Sequence, residues 1–160
     1  MTDDPAVLDR LTALERRVDA LEGARSAPVE AAEPATAAGV VHYSGEVHLH
    51  GDVTWSIDYG AAGALDLDDE PRLAVLAALG HPARVRIVRA LLSGGPSGTG
   101  PLQEAAGLAS TGQLYHHLRS LTHSGLVEQD ARGSYRIAGR AVVPTLVLLV
   151  AAADVAGQLR

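Results

Sequence analysis

The chain has 160 residues, enough for one compact domain with appendages, and its formal charge of -6 is unevenly spread, with 15 acidic and 4 basic side chains in residues 1–70 against 4 acidic and 9 basic in 71–160. It has no cysteine, which excludes disulfides, thiolate metal sites and a cysteine nucleophile. The longest apolar stretch, 141–153, is broken by Pro144 and Thr145 and falls short of the roughly 18–20 residues a bilayer span needs; with no basic-then-apolar leader, a cytoplasmic protein with no membrane partner is expected.

Asp4-Pro5 has the form of a helix cap followed by proline at the first helical position. Val7, Leu11, Leu14, Val18 and Leu21 then recur in steps of four and three, a heptad seam with Leu11 and Val18 at a and Val7, Leu14 and Leu21 at d. Arg10 and Arg17 fall at g and Glu15 and Glu22 at e, so residues 4–22 read as a short parallel coiled coil; a single amphipathic helix lying on the domain is the alternative. Residues 23–39 form a Pro/Ala/Glu linker without a burial pattern.

The period changes to two over residues 40–60, where odd positions are mostly apolar and even positions polar. That pattern predicts a β-hairpin turning at His50-Gly51-Asp52, with Leu49 opposite Val53, Val47 opposite Trp55 and Tyr43 opposite Tyr59. A lone hairpin is not stable in water, so its apolar face must meet either the following domain or the same hairpin of another subunit. Linkers on both sides, 23–39 and 61–69, favour the second, making the hairpin an oligomerisation element through Val47 and Trp55.

Residues 70–160 read as a mainly α domain with a small β wing. A helix over 71–79 places Leu73, Leu76 and Leu79 inward, and Pro82 starts a second helix that runs to about Leu92. His81 is placed to cap it. Residues 93–100 read as a flexible break, followed by a short helix over about 101–106 closed by Gly107. A Ser110 cap opens a longer helix to Ser124; Leu126–Gln129 and Ser134–Ala138 read as wing strands, and 140–159 as a last helix, apolar nearly all round.

Short helix, turn, longer helix and hairpin in that order are the pattern of a winged helix-turn-helix, whose longer helix enters the DNA major groove. With Leu114, Leu118 and Leu121 inward, Thr111, Gly112, Gln113, Tyr115 and His116 are exposed near the helix start, where Gln113 can read an adenine edge. Arg119, Ser120, Arg132 at the wing tip and Arg136 complete the expected DNA surface, the arginines reaching phosphates or the minor groove.

The segments LAALGHPARVRIVRALL, GLASTGQLYHHLRSLTHSGLV and RGSYRIAG, within about 70–140, resemble the ArsR-type winged-helix regulators of bacteria. An all-arginine basic set with abundant Ala and Gly fits a high-GC bacterial genome. The resemblance implies a dimer, joined by its first and last helices, that binds an inverted repeat in double-stranded DNA, usually as a repressor. It also implies that Thr111, Gly112, Gln113, Tyr115 and His116 approach DNA, Gly112 departing from the usual polar residue. Leu146 and Val150 of the last helix are the expected interface residues there, alongside the coiled-coil seam.

The family's metal sensors use cysteine pairs before the reading helix or Asp/His sets on the last helix. This chain has no cysteine, and its last helix offers only Asp154. His48 and His50 share one strand face near Asp52, a weak pair without a third ligand, so no metal and no cofactor are expected. Signal reception falls to an unidentified effector or protein partner. No nucleophile–base set or phosphate loop points to an enzyme. The alternatives are a winged-helix scaffold for protein assembly and an architectural protein coating DNA.

Overall fold

The computed structural model describes residues 38–130 and 133–159; the expected coiled coil with Leu11, Leu14, Val18 and Leu21, nearly all of the linker after it, and Arg132 lie outside them. Strands β1 (Val40–Val47) and β2 (Val53–Gly60) form an antiparallel hairpin. Helices α1 (Ala61–Leu65), α2 (Asp69–Leu79), α3 (Pro82–Gly94), α4 (Thr99–Ala106) and α5 (Thr111–His123) follow. The wing strands β3 (Val127–Gln129) and β4 (Tyr135–Ile137), a 3-10 turn at Gly139–Ala141 and the last helix α6 (Val142–Val155) complete the order.

The core forms where α3, α4, α5 and the wing converge. Helix α3 presents Ile87, Val88, Leu91 and Leu92, paired residues four apart that make one buried stripe. Leu102 and Ala106 of α4, Leu114, Leu118 and Leu121 of α5, and Val127 and Ile137 of the wing close around it. Local signals fix the helix starts. His81 caps α3 through a ring nitrogen that accepts from the Ala83 N–H (3.2 Å), with Pro82 at the first helical position.

Helix α2 differs from the expected orientation. Leu73 and Leu76 are 55% and 51% exposed, whereas Ala78 is buried and Val75 and Leu79 pack on the core. The Arg84 guanidinium donates to the carbonyls of Ala78 (2.6 Å) and Ala77 (2.7 Å), holding the end of α2 against α3 at that rotation. The leucine spacing is compatible with several rotations, and the arginine clamp selects one.

Residues 93–100, expected to be a flexible break, are a built connection. Gly95, at φ +76, ends α3, a left-handed conformation that disfavours any side chain. Ser97 then exchanges both backbone hydrogen bonds with Tyr135 (2.9 and 2.8 Å), an isolated bridge that ties the connection to the wing. Residues 61–69, expected to be a linker, contain α1, and Arg72 on α2 ties it down by donating to the Ala64 carbonyl (2.8 Å) while pairing with Asp69.

The hairpin alternates as expected, with residues 43, 45, 47, 53, 55 and 57 half-buried and the intervening ones exposed. Its register is two residues off. Val47 faces Val53, Gly45 faces Trp55, Tyr43 faces Ile57 and Val41 faces Tyr59. A shift of two keeps every side chain on the same face, so alternation alone does not distinguish the registers. The loop is five residues long, 48–52, closed by His48 Nδ1 2.7 Å from Asp52 Oδ1. The partner of the apolar face also differs from the expectation. Both strands pack on α6 of their own chain, and Gly45 lies so close that an added Cβ would stand 2.8 Å from Val143 Cγ1. Val47 and Trp55 thus lie on the half-buried face of the hairpin that packs on α6 of the same chain.

Candidate nucleic-acid interface

The turn between α4 and α5 is fixed by short-range chemistry. Gly107 takes a left-handed conformation (φ +66), returning its N–H to carbonyls at the end of α4. The Ser110 hydroxyl accepts from the Gln113 N–H (3.3 Å), starting α5. Gln103 spans the turn, its amide donating to the Leu108 carbonyl (3.3 Å) while its side-chain oxygen accepts from the Thr111 hydroxyl (3.0 Å). Two helices are thereby locked at one angle. Gln103 is a positioning residue that helical periodicity does not reveal, because it acts through the turn and not through the core.

Helix α5 is sharply two-faced. Leu114, His117, Leu118 and Leu121 are buried, while Thr111, Gly112, Gln113, Tyr115, His116 and Arg119 are exposed and Ser120 is half-exposed on the flank. The exposed face carries hydroxyl, amide, imidazole and guanidinium groups, the donor and acceptor set that reads base edges and phosphates. Thr111 is partly committed by its bond to Gln103. Among the described residues the side chains of Gln113 and Arg119 make no hydrogen bond or ion pair; only their backbone groups are engaged, with the hydroxyls of Ser110 and Thr122.

His117 lies three residues beyond Leu114, on the inward side, and only 8% of it is exposed. Its ring lies tilted at 42° against that of His81, with centroids 4.6 Å apart, and meets His116 edge-on at 5.6 Å. Its Nδ1 is buried without a hydrogen-bond partner. Burial first, then the neighbouring His81, Arg84 and His116, holds its pKa below the ordinary histidine value.

The wing stands beside α5. Glu128 and Arg136 face each other across its strands, and both Nε and Nη2 of Arg136 lie 2.7 Å from Glu128 Oε1. Gly133 (φ +83) and Asp130, whose carboxylate accepts from the Ser134 N–H (2.9 Å), shape the wing turn. Tyr135 is buried beneath; burial, and then the nearby Tyr115, raises its phenol above the usual value. Arg136 is thus on the wing as expected, exposed but already neutralised.

Residues 79–130 match the family model of a helix-turn-helix domain. The fold is a winged helix-turn-helix. No curated protein matches the chain. Among solved structures, the chain is similar to a homodimeric winged helix-turn-helix DNA-binding domain from Mycobacterium bovis, described as a possible ArsR-family transcriptional regulator, at 27% identity over 62% of this chain and 89% of that one, with a TM-score of 0.48.

The winged helix-turn-helix gathers Thr111, Gly112, Gln113, Tyr115, His116, Arg119 and Ser120 on one helix and Arg136 on the adjoining wing. Three further arginines of the basic half are held in the fold. Arg72 and Arg84 bind carbonyls as described, and Arg86 donates to the Ala106 carbonyl at the end of α4 (3.1 Å). These three guanidiniums keep their charge but are tied to the fold, which leaves them less free than Arg119 to reach a phosphate. His48 and His50 do not converge. His48 lies against Asp52 and Glu46, His50 turns onto Gly95, and among the described residues no group of three or more His, Cys, Asp or Glu could hold a metal ion. No helix among the described residues is long and apolar enough to cross a membrane.

Proposed function

We propose that the protein is a non-enzymatic, cytoplasmic transcriptional regulator of the ArsR type that binds an inverted repeat in double-stranded DNA as a dimer, acting as a repressor. The observation that carries this reading is the polar outer face of α5, positioned by the Gln103 bridge and flanked by the wing. Gln113 reads a base, Arg119 holds a phosphate, and Thr111, Gly112, Tyr115, His116 and Ser120 line the approach. Arg132 and Arg136 extend the contact along the wing, Arg136 once it leaves Glu128.

Dimerisation is supported by apolar side chains left exposed on the first and last helices of the domain, Leu73 and Leu76 on α2 and Val150 and Val155 on α6. The coiled coil of residues 4–22 would reinforce the pair.

Selection of bound fragments from a random DNA pool, followed by affinity against salt, tests the reading. Enrichment of an inverted repeat is expected. Arg119→Ala should weaken binding to all sequences and reduce the salt slope by about one. Gln113→Ala should cost roughly 1–3 kcal/mol on the selected repeat and little on random DNA. Failure to enrich any sequence, with no salt-dependent affinity, would favour the scaffold reading, which the Glu128–Arg136 pairing already supports by lowering the wing's charge.

A further inference from the structure

Between the hairpin and the winged helix lies a cavity of about 300 Å³, at the small end of the range that holds small-molecule ligands. Val47 and Val53 of the hairpin, Leu92 of α3 and Val142 of α6 make its apolar walls. Its polar end is formed by Glu128 and Arg136 of the wing, with the His50 ring on the loop side. The hairpin is docked and not free to drift from these walls. It packs on α6 through Gly45, and the His50 ring rests on Gly95, 3.1 Å from where a Cβ would stand.

We propose that this cavity binds a neutral, largely apolar small molecule carrying one hydroxyl group, held between the hairpin and the wing. The walls supply burial for the apolar body. The polar end selects the hydroxyl. Arg136 directs Nε and one hydrogen of Nη2 at a single oxygen of Glu128, so the hydrogens of Nη1, the second hydrogen of Nη2 and the second carboxylate oxygen remain to donate to and accept from one hydroxyl. An anionic ligand would bring a second negative charge beside Glu128, whose charge already balances Arg136. A molecule without a polar group would cover part of this half-exposed pair without replacing the water hydrogen bonds it displaces. Since Glu128 and Arg136 sit on paired wing strands, occupancy alters the same ion pair that sets the wing's charge. That consequence rests on the DNA-binding function proposed above; the site itself does not.

The test uses the full chain without DNA, so the two readings fail separately. With 2-naphthol as probe, backbone amide shifts in the nuclear magnetic resonance spectrum should saturate with a Kd on the order of 100 µM, and should be confined to the 48–53 loop, Gly95 and the wing strands. The anion 2-naphthoate should bind about tenfold more weakly or worse. Val53→Phe fills the cavity and should abolish the shifts. Glu128→Gln leaves the walls intact and, by removing the negative charge beside Arg136, should erase or reverse the preference for naphthol over naphthoate, which decides the matter should Val53→Phe fail to fold. Absent, unsaturable or scattered shifts overturn the site. Equal affinity for the two probes in the parent chain overturns the ligand class.

Discussion

His117 is a polar side chain placed where the core of α5 requires an apolar one, and its environment makes stability depend on pH. Its folded pKa lies below the ordinary 6.5 because burial, His81, Arg84 and His116 all oppose the charge. As pH falls through 6.5 the unfolded chain takes up this proton before the folded one does. The contribution is therefore complete above 6.5, is lost progressively as pH falls towards the folded pKa, and is constant below it. Urea unfolding midpoints measured from pH 8 to pH 5 should show that decline. His117→Leu should remove it and, by eliminating a buried Nδ1 without a partner, raise stability at pH 8 by about 1 kcal/mol. An unaltered pH profile in the variant would show that His117 is not the group responsible. Because the same helix carries Gln113 and Arg119, loosening around His117 at low pH would be felt at the proposed DNA face.

Among the elements, the hairpin joins the rest of the chain through one close approach. A methyl group at Gly45 would meet the side chain of Val143, which is buried and has no room to yield. Gly45→Ala should cost about 1–3 kcal/mol, read as a lower urea midpoint, and should shift Trp55 fluorescence to the red as the strand lifts from α6. An unchanged midpoint and spectrum would mean that the hairpin does not press on α6 in solution. The strands themselves were legible because alternation marks a two-faced element, and the loop's odd length followed from keeping one face apolar across the turn. Its register and partner were not. Loops of three and five residues preserve the same alternation, and the cue to the five-residue loop, His48 against Asp52, is an interaction and not a period. The hairpin's apolar face could equally have met another hairpin until the Arg72 clamp shortened its reach. In the candidate site, the outward residues of α5 followed from the leucine spacing, whereas Gln103 acts by side-chain hydrogen bonds across a turn, which no helical period marks, and the Ser97–Tyr135 bridge joins segments far apart in sequence.

For the whole molecule, the decisive question is what covers the apolar surface that the single chain leaves bare. Leu146 and Leu149 of α6 turn towards the core, while Val150 is 56% and Val155 is 91% exposed. On α2 the rotation held by Arg84 turns Leu73 and Leu76 outwards. A second copy of the chain can bury both helices at once, and an isologous pairing would set two reading helices at a fixed separation, the geometry that an inverted repeat demands. This reading separates interface from core at single positions. Val150→Arg and Leu76→Arg alter side chains already in solvent, so each should change the stability of the isolated fold by no more than about 0.5 kcal/mol. In a dimer each places an unpaired charge in the buried contact, and sedimentation equilibrium should show a shift to monomer, with affinity for an inverted repeat falling towards that for a single half-site. The proposed coiled coil of residues 4–22 would not hold the pair together by itself, because fewer than three heptads associate only weakly. Persistence of a full-strength dimer in the double variant Leu76→Arg/Val150→Arg would place the interface elsewhere on the molecule and remove the structural basis for a two-fold operator.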